Sequence, residues 1–180
     1  MQIEINNALN IVKKGGIILY PTDTIWGIGC DATNSDAVSR IFKIKKRVDS
    51  KALISLVADK QQLKNITGKI PDLDITSSPT TIIYPKTKGL SRKLLASNGS
   101  AAIRITKDYF CQKLIKNLGK AIISTSANIS GVANPKKFSE ISEEIKTNVD
   151  YIVNLRQDEL MKSPSVILKI NEDGSIIKIR

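Results

Sequence analysis

Residues 17–29 constrain this chain more than any other stretch. Ile17-Ile18-Leu19 is an unbroken apolar run that reads as a buried strand, and Tyr20-Pro21 ends it. Proline has no N–H for a ladder, so the hydroxyls of Thr22 and Thr24 and the carboxylate of Asp23 belong to the strand's exit loop. Gly27 and Gly29 then allow a tight turn or a close approach to a ligand. Trp26, the one tryptophan, stands between the polar and the glycine parts. Two readings follow: a ligand-gripping loop at the carboxyl end of a strand, or a β-turn with a core tryptophan.

The rest of the chain alternates. Ala8, Leu9 and Val12 recur at helical spacing before the Gly15-Gly16 stop, predicting a helix over 6–14. Asn34 or Ser35 caps a second helix with Ala37, Val38, Ile41 and Phe42 on its apolar face. Further helices are predicted over 60–66, 90–97, 109–118 and 139–146, and strands over 53–57, 80–84, 101–105, 121–123, 151–153, 165–170 and 176–179. Asp173-Gly174 joins the last two strands as a hairpin. Helices alternating with strands, followed by clustered strands, predict one α/β domain over residues 1–180 around a twisted mixed sheet. At 180 residues with 41% apolar content, one core can form, and no apolar run reaches the roughly 20 residues of a membrane helix. The N-terminus is no signal peptide, so a cytoplasmic protein is expected.

The chain contains no histidine. That excludes Ser-His and Cys-His nucleophile pairs, paired-His zinc sites and histidine general bases. Cys30 and Cys111 match no metal spacing and are expected to be buried, reduced thiols. Any catalysis should therefore rest on positioning and fixed charge. The net charge of +11 favours polyanionic partners, with cations concentrated at Lys43-Lys45-Lys46-Arg47-Lys51, Lys86-Lys88-Arg92-Lys93 and Lys136-Lys137. Each cluster also reads as a solvated face, and the first suits the negative end of a helix dipole.

Gly27-Ile28-Gly29-Cys30-Asp31-Ala32 fits a dinucleotide-binding pattern on paper, but the intervening Pro21 to Trp26 separates it from the preceding strand. What remains is a distributed site. It comprises the Thr22–Gly29 loop, the Lys45/Arg47/Lys51 cluster, Ser100, Arg104 inside an apolar strand, and the loop Ser124-Thr125-Ser126-Ala127-Asn128. An arginine in such a strand must meet a carboxylate or face a ligand cleft. The set could hold a nucleotide phosphate beside a small polar ligand.

These residues resemble a known family. Tyr20 to Gly29 is similar to the Y-P-T-[DE]-[TS]-x-[YWF]-G-[LI]-G opening of YrdC-type threonylcarbamoyl-AMP synthases, Lys45-Lys46-Arg47 to their K-x-R element, and Ser124 to Gly131 to their S-x-N element. The resemblance runs from about residue 5 to the C-terminus. Val48 stands where the family often has proline, and Leu56 where longer members carry a histidine. A related paralogue group has lost both K-x-R and S-x-N, and this chain keeps both.

The resemblance implies an α/β twist fold with a large basic cavity. It implies synthesis of L-threonylcarbamoyladenylate and pyrophosphate from L-threonine, bicarbonate or CO2, and ATP, the first step of t6A modification of tRNA. Thr24, Arg104, Ser126 and Ser165 would contact threonine. Lys45, Arg47, Lys51, Ser100, Ser124, Asn128 and Arg180 would surround the nucleotide, with Lys45 and Arg47 catalytic. The motif alone leaves Ser124 and Ser126 exchangeable between the two ligands. Mg2+ would arrive on the ATP phosphates, with no dedicated metal site and no organic cofactor. The implied partners are a downstream threonylcarbamoyl-transferring machinery and tRNA or double-stranded RNA. A non-catalytic double-stranded RNA- or tRNA-binding protein is the alternative that the +11 charge supports, and the 4% aromatic content argues against single-strand stacking.

Overall fold

A computed structural model describes residues 1–46, 53–161 and 163–180. Helix α1 (Gln2–Lys13) leads into strand β1 (Ile18–Tyr20), and β2 (Gly27–Gly29) returns antiparallel to it. Helix α2 (Ser35–Ile44) follows, then β3 (Ile54–Val57), α3 (Lys60–Thr67), β4 (Thr80–Tyr84), β5 (Ala101–Ile105), α4 (Tyr109–Leu118) and β6 (Ile122–Ser126). Short α5 (Glu143–Thr147) and strands β7 (Tyr151–Ile152), β8 (Val166–Ile170) and β9 (Ile176–Lys178) complete the described chain.

Among the described residues nine strands form one sheet in the order β7-β1-β2-β6-β3-β5-β4-β8-β9. Pairs β1–β7, β3–β5 and β4–β8 are parallel and the others antiparallel, so the sheet is mixed. Strand β6 divides its ladder: Ser124, Ile123 and Ile122 face β3, while Thr125 and Ser126 face β2. The two halves of the sheet meet along that strand.

Side-chain alternation splits the core in two. Ile123, Ile103, Ile82 and Val57 pack with Ala37, Val38 and Ile41 of α2 and Leu63 of α3. On the other face Leu56 and Ile122 lie under α1 and α4, which contribute Ile5, Ala8, Val12, Phe110, Leu114 and Ile115. Each large side chain fully buried this way stabilises the fold by roughly 1.5–3 kcal/mol. Helix ends are fastened locally. Asn34 accepts from the N–H groups of Asp36 and Ala37, Asp59 from Gln62, and Asp108 from Cys111.

Four local expectations change. Helix α1 begins at Gln2 rather than residue 6, and the 139–146 segment divides into a 3-10 turn (Phe138–Glu140) and α5. The 90–97 helix reduces to one 3-10 turn, Arg92–Leu94. Gly27 and Gly29 are not a turn but strand β2, and their missing side chains make room for β6. A Cβ on Gly27 would sit 3.1 Å from Ser124 Oγ, and one on Gly29 would run into the Ile123 carbonyl oxygen and lie 2.9 Å from the Tyr20 ring. Tyr20, fully buried, donates its hydroxyl to that same carbonyl at 2.7 Å. Cys30 and Cys111 are buried free thiols, their pKa values pushed up chiefly by burial.

Candidate active site

The face that carries α1 and α4 is left uncovered at one end. Register places Thr81 beside Arg104, Arg104 beside Leu56, and Ser124 beside Ile54. Leu56 lies under the helices, whereas Ile54, Arg104 and Ser124 line a cavity of about 140 Å3. Thr24, Ile25, Ser126, Asn134, Ser165 and Arg180 complete much of its wall. Sites for larger organic ligands run to roughly 300–1,000 Å3, so this space suits an amino-acid-sized ligand. Two arginines and no carboxylate stand among its described lining residues.

Arg104 is 3% exposed. Its Nη1 donates to Thr24 Oγ1 at 3.1 Å and its Nη2 lies 3.1 Å from Asp23 Oδ1. That second contact is an ion pair too poorly aligned for a hydrogen bond, since Asp23 Oδ1 has no hydrogen-bond partner, whereas Oδ2 accepts from the Lys107 N–H at 2.9 Å. The Nε of Arg104 is buried without a hydrogen-bond partner. The sequence expected this arginine to meet a carboxylate or face a cleft, and it does both. A buried guanidinium in the lining of a cavity supplies fixed positive charge for an anionic or polar ligand atom.

The loop carrying Thr24 is shaped by its neighbour. Thr22 Oγ1 accepts from the N–H groups of Thr24 (3.0 Å) and Ile25 (3.2 Å) and donates to the Ile25 carbonyl at 2.8 Å. This hydroxyl turn aims Thr24 at Arg104. Opposite, Ser165 Oγ pairs with Thr81 Oγ1 at 2.8 Å, and Arg180 donates from Nε and Nη2 to the Ser165 carbonyl at 3.2 and 2.9 Å.

Lys45 is buried at the end of α2 rather than part of a solvated face. Its ammonium donates to the carbonyls of Ser126 (2.6 Å) and Asn128 (2.7 Å) and to Asn128 Oδ1 (2.7 Å). Ser126 Oγ also donates to Asn128 Oδ1 at 2.6 Å, and the Asn128 amide donates to the Val132 carbonyl. The structure thus joins the K-x-R lysine to the S-x-N serine and asparagine. Ser126 contributes to both this network and the cavity wall.

Of the other sequence candidates, Ser100 immediately precedes β5, is 7% exposed, and is not among the lining residues of this cavity. Arg47 and Lys51 lie outside the described residues. Trp26 takes the core alternative: it is fully buried, with its ring centroid 5.2 Å from that of Phe138. Sequence reasoning missed Thr81, Asn134 and the role of Asp23. Asp23 was visible in the loop but not its pairing, and Thr81 carried no local signal, because only strand register sets it beside Arg104.

Among the described residues no cluster of three or more Cys, Asp or Glu could hold a metal ion, and no helix is long and apolar enough to cross a membrane. The Sua5/YciO/YrdC family, described as Telomere recombination, matches residues 10–180. A threonylcarbamoyl-AMP synthase of Idiomarina loihiensis is 33% identical over 155 residues, covering 82% of this chain and 83% of that protein. The structure of P. abyssi Sua5 complexed with L-threonine matches with a TM-score of 0.84 at 23% identity, over 100% of this chain and 54% of its own. E. coli YciO matches with a TM-score of 0.84 at 25% identity, over 100% of this chain and 89% of its own. The chain therefore spans about half the length of the Sua5 structure and most of the length of the other two proteins. With its three motifs in register and a family match over nearly its whole length, the chain belongs to the Sua5/YciO/YrdC family.

Proposed function

We propose that this protein is an L-threonylcarbamoyladenylate synthase, converting L-threonine, bicarbonate or CO2, and MgATP into L-threonylcarbamoyl-AMP and pyrophosphate for t6A modification of tRNA. The observation that carries this reading is buried Arg104, tied to Thr24 and Asp23, in the lining of an amino-acid-sized cavity. Family membership and the relative's name support it.

In this reading Arg104 receives the threonine carboxylate while Thr24, Ser126 and Ser165 supply hydroxyls around the amino acid. The threonine amine adds to CO2 and loses a proton, leaving a carbamate anion. A carbamate oxygen then attacks the α-phosphorus of ATP, and the bond to the bridging oxygen of the β-phosphate breaks to release pyrophosphate. No histidine base is required, because the nucleophile is already ionised. The protein's task is to hold two anions together and offset their repulsion with fixed positive charge.

ATP is too large for the described cavity, so its phosphates extend past the Ser124 and Arg180 walls towards the Asn128 loop that Lys45 holds, with Ser100 also assigned to the nucleotide and Arg47 and Lys51 following Lys45 in sequence. Mg2+ accompanies the phosphates as part of the substrate and needs few protein ligands. Lys45 in this arrangement first organises the Ser126–Asn128 loop, and a phosphate oxygen would reach its ammonium by replacing one of those acceptors. The product is a reactive mixed anhydride, which calls for a threonylcarbamoyl-transferring partner acting on tRNA.

The test is purified protein incubated with MgATP, L-threonine and bicarbonate, with the adenylate read by mass spectrometry. Adenylate should form only when all three substrates are present. Equal pyrophosphate release with bicarbonate and CO2 rigorously removed would refute the carbamate route.

A further inference from the structure

We infer that Arg156, far from the three sequence motifs, is a positioning residue that holds the Thr22–Ile25 wall of the cavity in place and thereby sets its fit for the amino-acid substrate. The inference rests on the reading above and extends it to a residue outside the cavity lining.

Arg156 adopts φ +54°, a left-handed conformation uncommon for a residue with a Cβ. Such strain persists only where surrounding contacts over-determine it, and here they are visible. Nη1 donates to the Thr22 carbonyl at 3.2 Å and to Asp108 Oδ2 at 2.7 Å. Nε and Nη2 form a fork on Glu159, at 2.6 and 2.8 Å. The guanidinium therefore joins three pieces of chain: the turn that carries Thr24, the capping residue of α4, and its own segment after β7.

Each attachment bears on the cavity. Thr22 is the residue whose hydroxyl shapes the turn and aims Thr24 at Arg104. Asp108 caps α4 through Cys111, whose thiol in turn lies 3.6 Å from the Pro21 carbonyl at the start of the same turn. The segment holding Arg156 is anchored before it by the Val153 N–H on the Leu19 carbonyl and after it by buried Met161, whose N–H meets the Lys136 carbonyl. A few residues later that segment supplies Pro164 and Ser165 to the cavity lining. Arg156 is thus a side-chain link between the turn that carries Thr24 and the segment that leads to Pro164 and Ser165, and it is not itself among the lining residues.

The test compares wild type with Arg156→Gly, which removes the guanidinium and also relieves the left-handed strain, and with Glu159→Ala, which releases the fork from its exposed side. For Arg156→Gly, the threonine Kd by calorimetry and the KM for threonine should both rise about tenfold, the effect of one lost charge-assisted hydrogen bond, while kcat and the KM for ATP change less than twofold. Glu159→Ala should raise the threonine KM about threefold. Unchanged threonine affinity in a folded Arg156→Gly protein, or an equal loss of threonine and ATP affinity, would overturn the inference. Should Arg156→Gly not fold, an unchanged threonine KM in Glu159→Ala overturns it instead. Wild-type protein that binds threonine but forms no adenylate would refute the proposed function while calorimetry still reads the role of Arg156. Absence of threonine binding by wild type would overturn both.

Discussion

The ammonium of Lys45 lies 2.7 Å from Asn128 Oδ1, across 83 residues of sequence, so the end of α2 and the loop after β6 form one unit. The ammonium also donates to two backbone carbonyls and to Ser126 Oγ, and the Lys45 carbonyl accepts from the Ser130 N–H. Removing the lysine takes the ammonium donor from the Asn128 carbonyl, while the Ser126 carbonyl keeps the Asn128 N–H and Asn128 Oδ1 keeps the Ser126 hydroxyl. Lys45→Met should destabilise the fold by about 1–3 kcal/mol in urea unfolding, and adenylate synthesis should fall at least tenfold at temperatures where the variant is still folded. A variant with wild-type stability and turnover would show the junction to be inessential.

Arg104 predicts a different signature, because its partners form the amino-acid wall rather than the core. Arg104→Lys keeps the charge but loses the planar fork that spans Thr24 and Asp23. Threonine affinity should drop on the order of tenfold to a hundredfold by calorimetry, since charge-assisted bonds of about 1.5–3 kcal/mol are at stake. ATP affinity should stay close to wild type. Full rescue by lysine would rule out bidentate recognition.

Gly29→Ala is expected to be among the most damaging single-atom changes in the chain. Its Cβ would collide with the Ile123 carbonyl that also accepts the Tyr20 hydroxyl. Overpacking of this kind costs about 1–3 kcal/mol or more, and the backbone of β6 cannot give way without shifting Ser124. Gly27→Ala, with a milder 3.1 Å approach to Ser124 Oγ, should cost less stability but raise the threonine KM. Thermal melts and steady-state kinetics on the pair separate the two effects.

Asp150 sets an acid limit on stability. A hydrogen bond from Arg40, with the Ile17 N–H adding to it, holds its carboxyl below the ordinary 3.8. A carboxyl whose pKa is lowered by folding stabilises the native state above about 3.8 and loses that contribution as pH falls through the folded value. The pair is partly exposed, so its worth is on the order of 1 kcal/mol or less. Asp150→Asn should be slightly less stable than wild type at pH 7, and chemical denaturation should show that difference shrinking as pH falls below about 3.8.

Most of the elements were legible in the sequence because they depend on local patterns. The cap at Asn34, the helical spacing of α2 and α4, and the apolar runs of β4 and β5 each report contacts within a few residues. Three motifs in register were enough to indicate the family, and an arginine in an apolar strand was enough to demand a partner for Arg104. Tertiary structure alone decided what stands opposite what. Gly27 and Gly29 read as a tight turn or a close approach to a ligand, and the structure makes them a strand between β1 and β6, the latter more than 90 residues away. Lys45 read as either a nucleotide-facing cation or part of a solvated face, and only the tertiary structure shows it enclosed by the Ser126–Asn128 loop. Thr81 reaches the site through strand register, and Arg156 reaches Thr22 through a left-handed backbone that no local pattern announces. Secondary structure is set by hydrogen bonds and side-chain periods that repeat along the chain. The site is set by side chains whose separation in sequence is unrelated to their separation in space.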